Sequence, residues 1–419
     1  MLNDEQQIAL DIAMSGKNMF ITGNAGTGKS YLTRKIIEEF EKNDKAVIVC
    51  APTGIAAINI GGATVHRVFN ISSNTTSRSI PSLSEELLNA DTIIIDEISM
   101  CRIDVFEHVA KAIEAIENSS KRYSRDRSKL NISNKLQLIV VGDFFQLPPV
   151  VTDKEKGSIM RTYNCSEGAF AFLSPKWRYF DFENIVLKTI VRQEEAETCE
   201  ALNAIRIGDI SGVQYFNLYS NRDNMEDTVM ICGRNAEAAR YNEAELKKLP
   251  GEEHCYNAIR RGIVAESDKL VDDKLILKEN ARVILMANDD SYANGDTGEI
   301  VSLDKDSIIV ELDRGGKVKV KRYKWEIRGY KTIQGKVQKC VIGIFEQYPI
   351  RLGYAITIHK SQGQTLKKAN INPYSWACGQ LYVALSRVES IEGIHLTQKI
   401  NNSFVKVAPE VISFYNSII

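Results

Sequence analysis

Asn18-Met19-Phe20-Ile21-Thr22-Gly23-Asn24-Ala25-Gly26-Thr27-Gly28-Lys29-Ser30 decides how this chain folds. Its first five residues make a short apolar strand, and Gly23 closes it. Gly23 to Ser30 matches the spacing G-x-x-x-x-G-K-[ST]. A helix is expected from about 29 to 40, with Leu32, Ile36 and Ile37 on one face. A strand, a glycine-rich loop and a helix are the context in which that spacing binds phosphate. Glycines let backbone N–H groups turn inward, and the helix start adds positive potential. Gly23, Asn24, Ala25, Gly26, Thr27, Gly28, Lys29 and Ser30 are therefore the candidate nucleotide-binding set. Lys29 suits the β- and γ-phosphates and Ser30 suits Mg²⁺.

Similar apolar runs recur at 46–50, 92–95 and 138–141. They are short and rich in Val and Ile, the pattern of strands buried on both faces of a parallel sheet. A first helix is expected over 4–15. Alternation of such strands with helices argues for an α/β domain. Two of these strands end in residues that phosphoryl chemistry uses. Asp96 and Glu97 follow 92–95: Asp96 would hold Mg²⁺, directly or through water, and Glu97 would polarise an attacking water. Gly142-Asp143-Phe144-Phe145-Gln146-Leu147-Pro148-Pro149 follows 138–141, and Gln146 can both donate and accept beside a γ-phosphate. An Asp-Glu pair or a Gln at a strand end is ordinary by itself; the glycine loop gives both their meaning.

The chain has 419 residues, enough for two to four domains. The pattern loosens over 151–190. A helix is expected over 194–205, and a strand at 228–232 opens a second α/β unit. From 296 to 349 short strands with turns such as Gly315-Gly316 suggest a small β barrel inserted in that unit. The α/β pattern returns at 353–357 and in a helix near 378–388.

Composition is that of a soluble globular chain, 44% hydrophobic and 26% charged. No apolar run reaches the length of a membrane span, and Met1 to Gln7 does not read as a secretory leader. The eight cysteines include no C-x-x-C pair, which argues against a zinc ribbon and fits a reducing compartment. Net charge is −1, yet 118–135 holds six basic residues and one acidic, and 314–339 holds ten and one. The first stretch reads as a surface loop. The second reads as a solvated edge or a phosphate-tracking face.

In order along the chain stand the glycine loop, Asp96-Glu97-Ile98-Ser99, Gly142 to Pro149, Thr357-Ile358-His359-Lys360-Ser361-Gln362-Gly363 and Tyr382-Val383-Ala384-Leu385-Ser386-Arg387. Together they resemble superfamily 1B DNA helicases of the PIF-one (petite-integration-frequency) family, relatives of RecD. The likeness runs from about residue 2 to 390. It implies two RecA-like parallel-sheet P-loop domains, 1–180 (1A) and 181–419 (2A), with ATP between them. It also implies a small wedge (1B) near 61–85 and an SH3-like barrel (2B) at 296–349. The activity implied is ATP- and Mg²⁺-dependent movement on single-stranded DNA, 5′ to 3′, unwinding forked or structured duplex, by a monomer. By resemblance Gln6 reads adenine, Gly363 lies at the nucleotide, and Arg192 and Arg387 complete the ATP site. Thr53, Thr64, His66, Thr357, His359 and Lys360 would contact DNA. Repair, recombination or telomere maintenance would be the setting, in the cytoplasm of a bacterium or phage host, or in a nucleus or mitochondrion. A RecD-like or phage-type helicase and a DNA-stimulated ATPase without processive unwinding are the alternatives. A guanine-nucleotide switch is disfavoured, because no N-K-x-D motif is present.

Overall fold

Six parallel strands carry the glycine loop: β1 (Met19–Gly23), β2 (Val47–Ala51), β3 (Ala63–Thr64), β4 (Thr92–Ile95), β5 (Gln137–Val141) and β6 (Glu183–Leu187). Their order is β3-β2-β4-β5-β1-β6, and every pairing is parallel. β1, β2, β4 and β5 are buried at every residue, as strands covered on both faces must be. Helix α1 (Asp4–Met14) and helix α2 (Lys29–Lys42) cover one face. Leu32, Ile36 and Phe40 of α2 join Ile21, Val49 and Ile139 in a single core.

This computed structural model describes residues 2–72, 79–122, 136–165, 168–189, 196–220, 228–362 and 364–418. The chain forms two compact units. The first takes Met1–Val191, Ile327–Ile342 and Ala408–Ile419; the second takes Arg192–Glu326 and Gly343–Val407. This partition differs from the division at 180/181 expected from sequence, in that two late segments return to the first unit. The helix Pro409–Ile418 does so through aromatic packing. Phe414 lies 4.3 Å from Phe172, 5.6 Å from Phe144 and 5.8 Å from both Phe20 and Trp177, centroid to centroid. The hairpin tip 327–342 does so through Tyr330, whose hydroxyl accepts from Val49 N at 2.7 Å and donates to Val49 O at 2.9 Å.

The second unit has its own all-parallel sheet, in the spatial order Ala355–Thr357, Met230–Cys232, Ala369–Ile371, Ile394–Leu396. Asn242, in the helix Asn235–Lys248, closes one edge: its Nδ2 donates to Ala355 O and its Oδ1 accepts from Ala355 N. The β insertion is wider than 296–349. A five-stranded antiparallel sheet runs Lys317–Val320, Ile308–Leu312, Thr297–Leu303, Arg282–Leu285, Ile350–Leu352. It recruits strands on both sides of the expected segment because Val283, Leu285 and Ile350 complete its core with Ile300, Val310 and Val320. The strands Tyr323–Ile333 and Lys336–Gln347 leave that sheet and pair instead with each other and with Ile259–Gly262.

The basic stretch 118–135 does not begin as a loop. The helix Ile103–Arg122 runs through its first five residues, carried by the buried stripe Phe106, Val109, Ile113 and Ile116. The remaining part, 123–135, lies outside the described residues. In the expected wedge region, β3 is followed by the short helices Val65–Val68 and Glu85–Leu88, and 73–78 lie outside the described residues.

Candidate active site

The glycine loop joins the end of β1 to α2, and its shape depends on two glycines. Gly28 caps α2 at φ 80°, a left-handed conformation, and a Cβ there would meet Gln6 Nε2 at 2.7 Å. At Gly23 a Cβ would lie 2.4 Å from Leu187 O. Thr27 Oγ1 donates to Asn24 O at 2.9 Å and closes the turn. Lys29 Nζ donates to Gly23 O at 2.7 Å and Asn24 O at 2.9 Å, so the loop holds its own cation over its rim. Ala25 and Gly26 form the outer part of the loop, and Ser30 is exposed in the first turn of α2.

Gln6 serves two structural partners. It completes the capping box of α1, with Oε1 accepting from Asn3 N at 3.2 Å, and its Nε2 donates to Thr27 O at 3.4 Å. The side chain is only 4% exposed. The residue expected to read adenine thus braces the phosphate loop.

β5 lies between β4 and β1 in the sheet. Because all three run parallel, the residues following them emerge at one edge: the glycine loop from β1, Asp96-Glu97 from β4, and Gly142 to Gln146 from β5. Asp96 Oδ1 accepts from Glu97 N at 2.9 Å. Burial pushes the Asp96 pKa up, against the pull of the Glu97 N–H and of the Lys29 and Arg34 charges. Glu97 adopts φ 51°, ψ 44°, a left-handed conformation that is rare for a non-glycine residue and concentrates at functional sites. Asp143 is fully buried; its Oδ1 accepts from Phe145 N at 3.1 Å and from Tyr415 Oη at 3.3 Å. Gln146 is 7% exposed, and its N–H donates to Asp143 O at 2.9 Å.

Oxygen donors of this kind fit a hard cation that keeps most of its ligands from phosphate and water. Among the described residues no group of three or more His, Cys, Asp or Glu could hold a metal ion by itself.

The expected DNA-contacting residues lie in both units. Thr53 and Thr64 cap the helices Gly54–Ile60 and Val65–Val68, accepting from Ala56 N at 3.2 Å and Arg67 N at 3.3 Å. Their hydroxyl protons remain available to an acceptor. His66 is exposed within the helix Val65–Val68. In the second unit, Thr357 ends its strand almost wholly buried, and its Oγ1 accepts from Lys360 N at 3.3 Å. His359 is partly covered, and burial pushes its pKa down, so the ring is neutral near pH 7. Lys360 is exposed.

Arg387 is not on the surface. It is 3% exposed, and donates to Val383 O, Gln364 O and Ser386 Oγ. Arg192 and Gly363 lie outside the described residues. Sequence reasoning passed over three residues that shape the site. Arg34, one helical turn after Ser30, could have been found by its spacing. Asp143 stood within a quoted motif. Tyr415 carried no local signal.

A model of the PIF1-like helicase family matches residues 1–211. The ATP-dependent DNA helicase Pif1 of Campylobacter jejuni is 30% identical over 97% of this chain and 96% of its own length. That of Bdellovibrio bacteriovorus is 32% identical over 99% and 91%. Among solved structures, Bacteroides Pif1 in complex with ADP-AlF4 superposes with a TM-score of 0.85 at 31% identity, covering 100% of this chain and 97% of that one. Bacteroides Pif1 bound to single-stranded DNA matches at 0.69 and 32%, with the same coverage. The two parallel sheets are thus those of RecA-like domains, and with its motifs in order along the sequence the chain belongs to the PIF1-like helicase family.

Proposed function

We infer that this chain is an ATP-dependent DNA helicase that moves along single-stranded DNA and unwinds duplex. The observation that carries this reading is the convergence of Lys29, Asp96-Glu97 and Gln146 at one edge of a single parallel sheet, on β1, β4 and β5. Relatives of similar length are named ATP-dependent DNA helicases. Bacteroides Pif1 has been crystallised with ADP-AlF3 and single-stranded DNA together.

In this reading the backbone N–H groups of Gly23 to Ser30 hold the phosphates, and Lys29 exchanges its loop carbonyls for phosphate oxygens. Ser30 and Asp96 would hold Mg²⁺, which supplies charge neutralisation on the phosphates. Glu97 takes the proton of the attacking water, and Gln146 orients that water. Arg192 and Arg387 stabilise charge on the transferred group, an effect worth ~10³–10⁵ in rate in other enzymes. To reach a phosphate, Arg387 must give up Val383 O, Gln364 O and Ser386 Oγ. Thr53, Thr64, Thr357 and Lys360 contact the DNA backbone, and His66 and His359 stack on bases. The five-stranded sheet is the counterpart of the expected inserted barrel. The chain acts as a monomer and moves 5′ to 3′; a Pif1 relative is described as unwinding forked duplex as two coordinating helicases.

Unwinding of forked duplexes bearing only a 5′ or only a 3′ single-stranded tail tests this. ATP-dependent unwinding of the 5′-tailed substrate alone is expected. Unwinding of the 3′-tailed substrate would reverse the polarity. ATP turnover indifferent to saturating oligonucleotide would remove DNA from the reading.

A further inference from the structure

We propose that Tyr415 is a positioning residue for ATP hydrolysis, acting through the segment that carries Gln146. The inference rests on the helicase reading above and names a part of its machinery. Tyr415 lies in the helix Pro409–Ile418, 269 positions after Gln146 in sequence, yet is 3% exposed within the first unit.

Its hydroxyl makes three contacts that meet behind the site. It shares a 2.6 Å hydrogen bond with Thr22 Oγ1, accepts from Phe144 N at 3.2 Å, and donates to Asp143 Oδ1 at 3.3 Å. A phenol has one proton, so donation to Asp143 leaves the Thr22 hydroxyl as donor to Tyr415. Thr22 is the last residue of β1 before the glycine loop begins. Asp143 and Phe144 open the segment leading to Gln146. One hydroxyl therefore ties the base of the phosphate loop to the base of the Gln146 loop.

The ring reinforces this. Phe145, the neighbour of Gln146, packs on the Tyr415 ring at 4.5 Å between centroids and 39°. Asp143, held by Tyr415 and by Phe145 N, in turn accepts Gln146 N on its carbonyl. The backbone of Gln146 is thus fixed at one remove from Tyr415. β1 and β5 are paired only as far as Ile21 and Val141. Beyond that point strand pairing no longer sets the spacing of the two loops, and the Tyr415 hydroxyl is placed where the ladder stops. A loosely held water-orienting group loses rate steeply with small displacements.

Tyr415→Phe removes the oxygen and keeps the ring. DNA-stimulated ATP hydrolysis by the full chain should lose about tenfold in kcat, with KM for ATP changed less than about twofold. In a Gln146→Ala background the same substitution should cost less than about twofold, because the group it positions is gone. If Tyr415→Phe melts below the assay temperature, Thr22→Val removes the same contact from β1, with Thr22→Ser as the control that keeps a hydroxyl. Thr22→Val slower than Thr22→Ser in kcat alone supports the assignment. Unchanged kcat in Tyr415→Phe, or an equal loss with and without Gln146, overturns it. So does equal turnover of the two Thr22 variants. A wild-type chain without DNA-stimulated turnover overturns the helicase reading and this inference together, whereas normal wild-type turnover with an unaffected variant overturns this inference alone.

Discussion

Tyr330→Phe should destabilise the first unit through a single lost oxygen. In a parallel ladder the N–H and C=O of one residue point to the same side. Those of Val49 point away from β4, toward the edge where β3 pairs only with Cys50 and Ala51. Val49 is fully buried, so neither group has easy access to water. Tyr330 satisfies both, at 2.7 and 2.9 Å, from a hairpin whose tip belongs to the first unit. Phenylalanine keeps the ring and leaves the Val49 N–H in the sheet without a partner, whereas the Val49 carbonyl keeps the Ala63 N–H that the Cys50↔Ala63 register brings to it.

Each buried backbone group stranded in this way costs ~1–3 kcal/mol, reduced where water can follow. The one stranded group gives ~1–3 kcal/mol, after allowing for the phenol that no longer needs to be desolvated. For a unit of this size ~1 kcal/mol moves Tm by ~2–4 °C, so the transition should fall by roughly 2–12 °C. Thermal unfolding of wild type and variant reads the first quantity. Amide hydrogen exchange reads the second: the Val49 N–H should exchange roughly 10- to 10²-fold faster, since ~1.4 kcal/mol is a factor of ten. A variant melting within about 1 °C of wild type, with Val49 as protected as before, would refute the reasoning. It would mean that the hairpin is held by other contacts and that water replaces the phenol at little cost.

Glu97→Gln keeps the size of the side chain and its left-handed backbone but removes the base; steady-state ATPase should fall ~10²–10⁴-fold while nucleotide still binds, and near-normal turnover would dismiss Glu97 as base. Lys317, Lys319 and Lys321 are exposed along the edge strand Lys317–Val320 and beyond it, with Val318 and Val320 on the buried face, and Lys317 lies 3.7 Å from Glu311. If they track phosphates, the triple alanine variant should bind oligonucleotide more weakly and lose about one unit of salt slope per contact; unchanged affinity and slope, with more aggregation, would make them guards of an open sheet edge. Glu155 is held down to about 2, first by the Thr152 hydroxyl and then by Arg102. A lowered carboxyl contributes stability above its ordinary 4.5 and loses it as pH falls toward about 2, so the Tm gap between wild type and Glu155→Gln should close over that interval. The side chain is 43% exposed, which limits the gap to ~1 kcal/mol; a gap constant down to pH 2 would refute the assignment.

What the sequence made legible, and what it did not, follows from the range of the interactions involved. The glycine loop is read directly because its demands are local: Gly28 must take φ 80° and Lys29 must follow it. β2, β4 and β5 are read because burial on both faces forces continuous apolar runs. β6 was passed over because it is a half-exposed edge, and Glu183–Leu187 shows neither a continuous run nor a clean alternation. Gln6 was picked out for a base, and its geometry adds a cap and a loop brace that a motif cannot express. The return of the hairpin and of the last described helix to the first unit left no periodic trace at all. Periodicity tells which face of an element is buried, not against which element it is buried. Tyr330 and Tyr415 each act through one hydroxyl on backbone or side chains far away in sequence, and a lone tyrosine in an amphipathic segment reads as core. The chemistry of this protein is therefore written in residues spaced along short loops. The geometry that makes those loops meet is written in single long-range contacts. The division at 180/181 was drawn from where patterns change, whereas the partition into two compact units follows which rings and hydroxyls find each other.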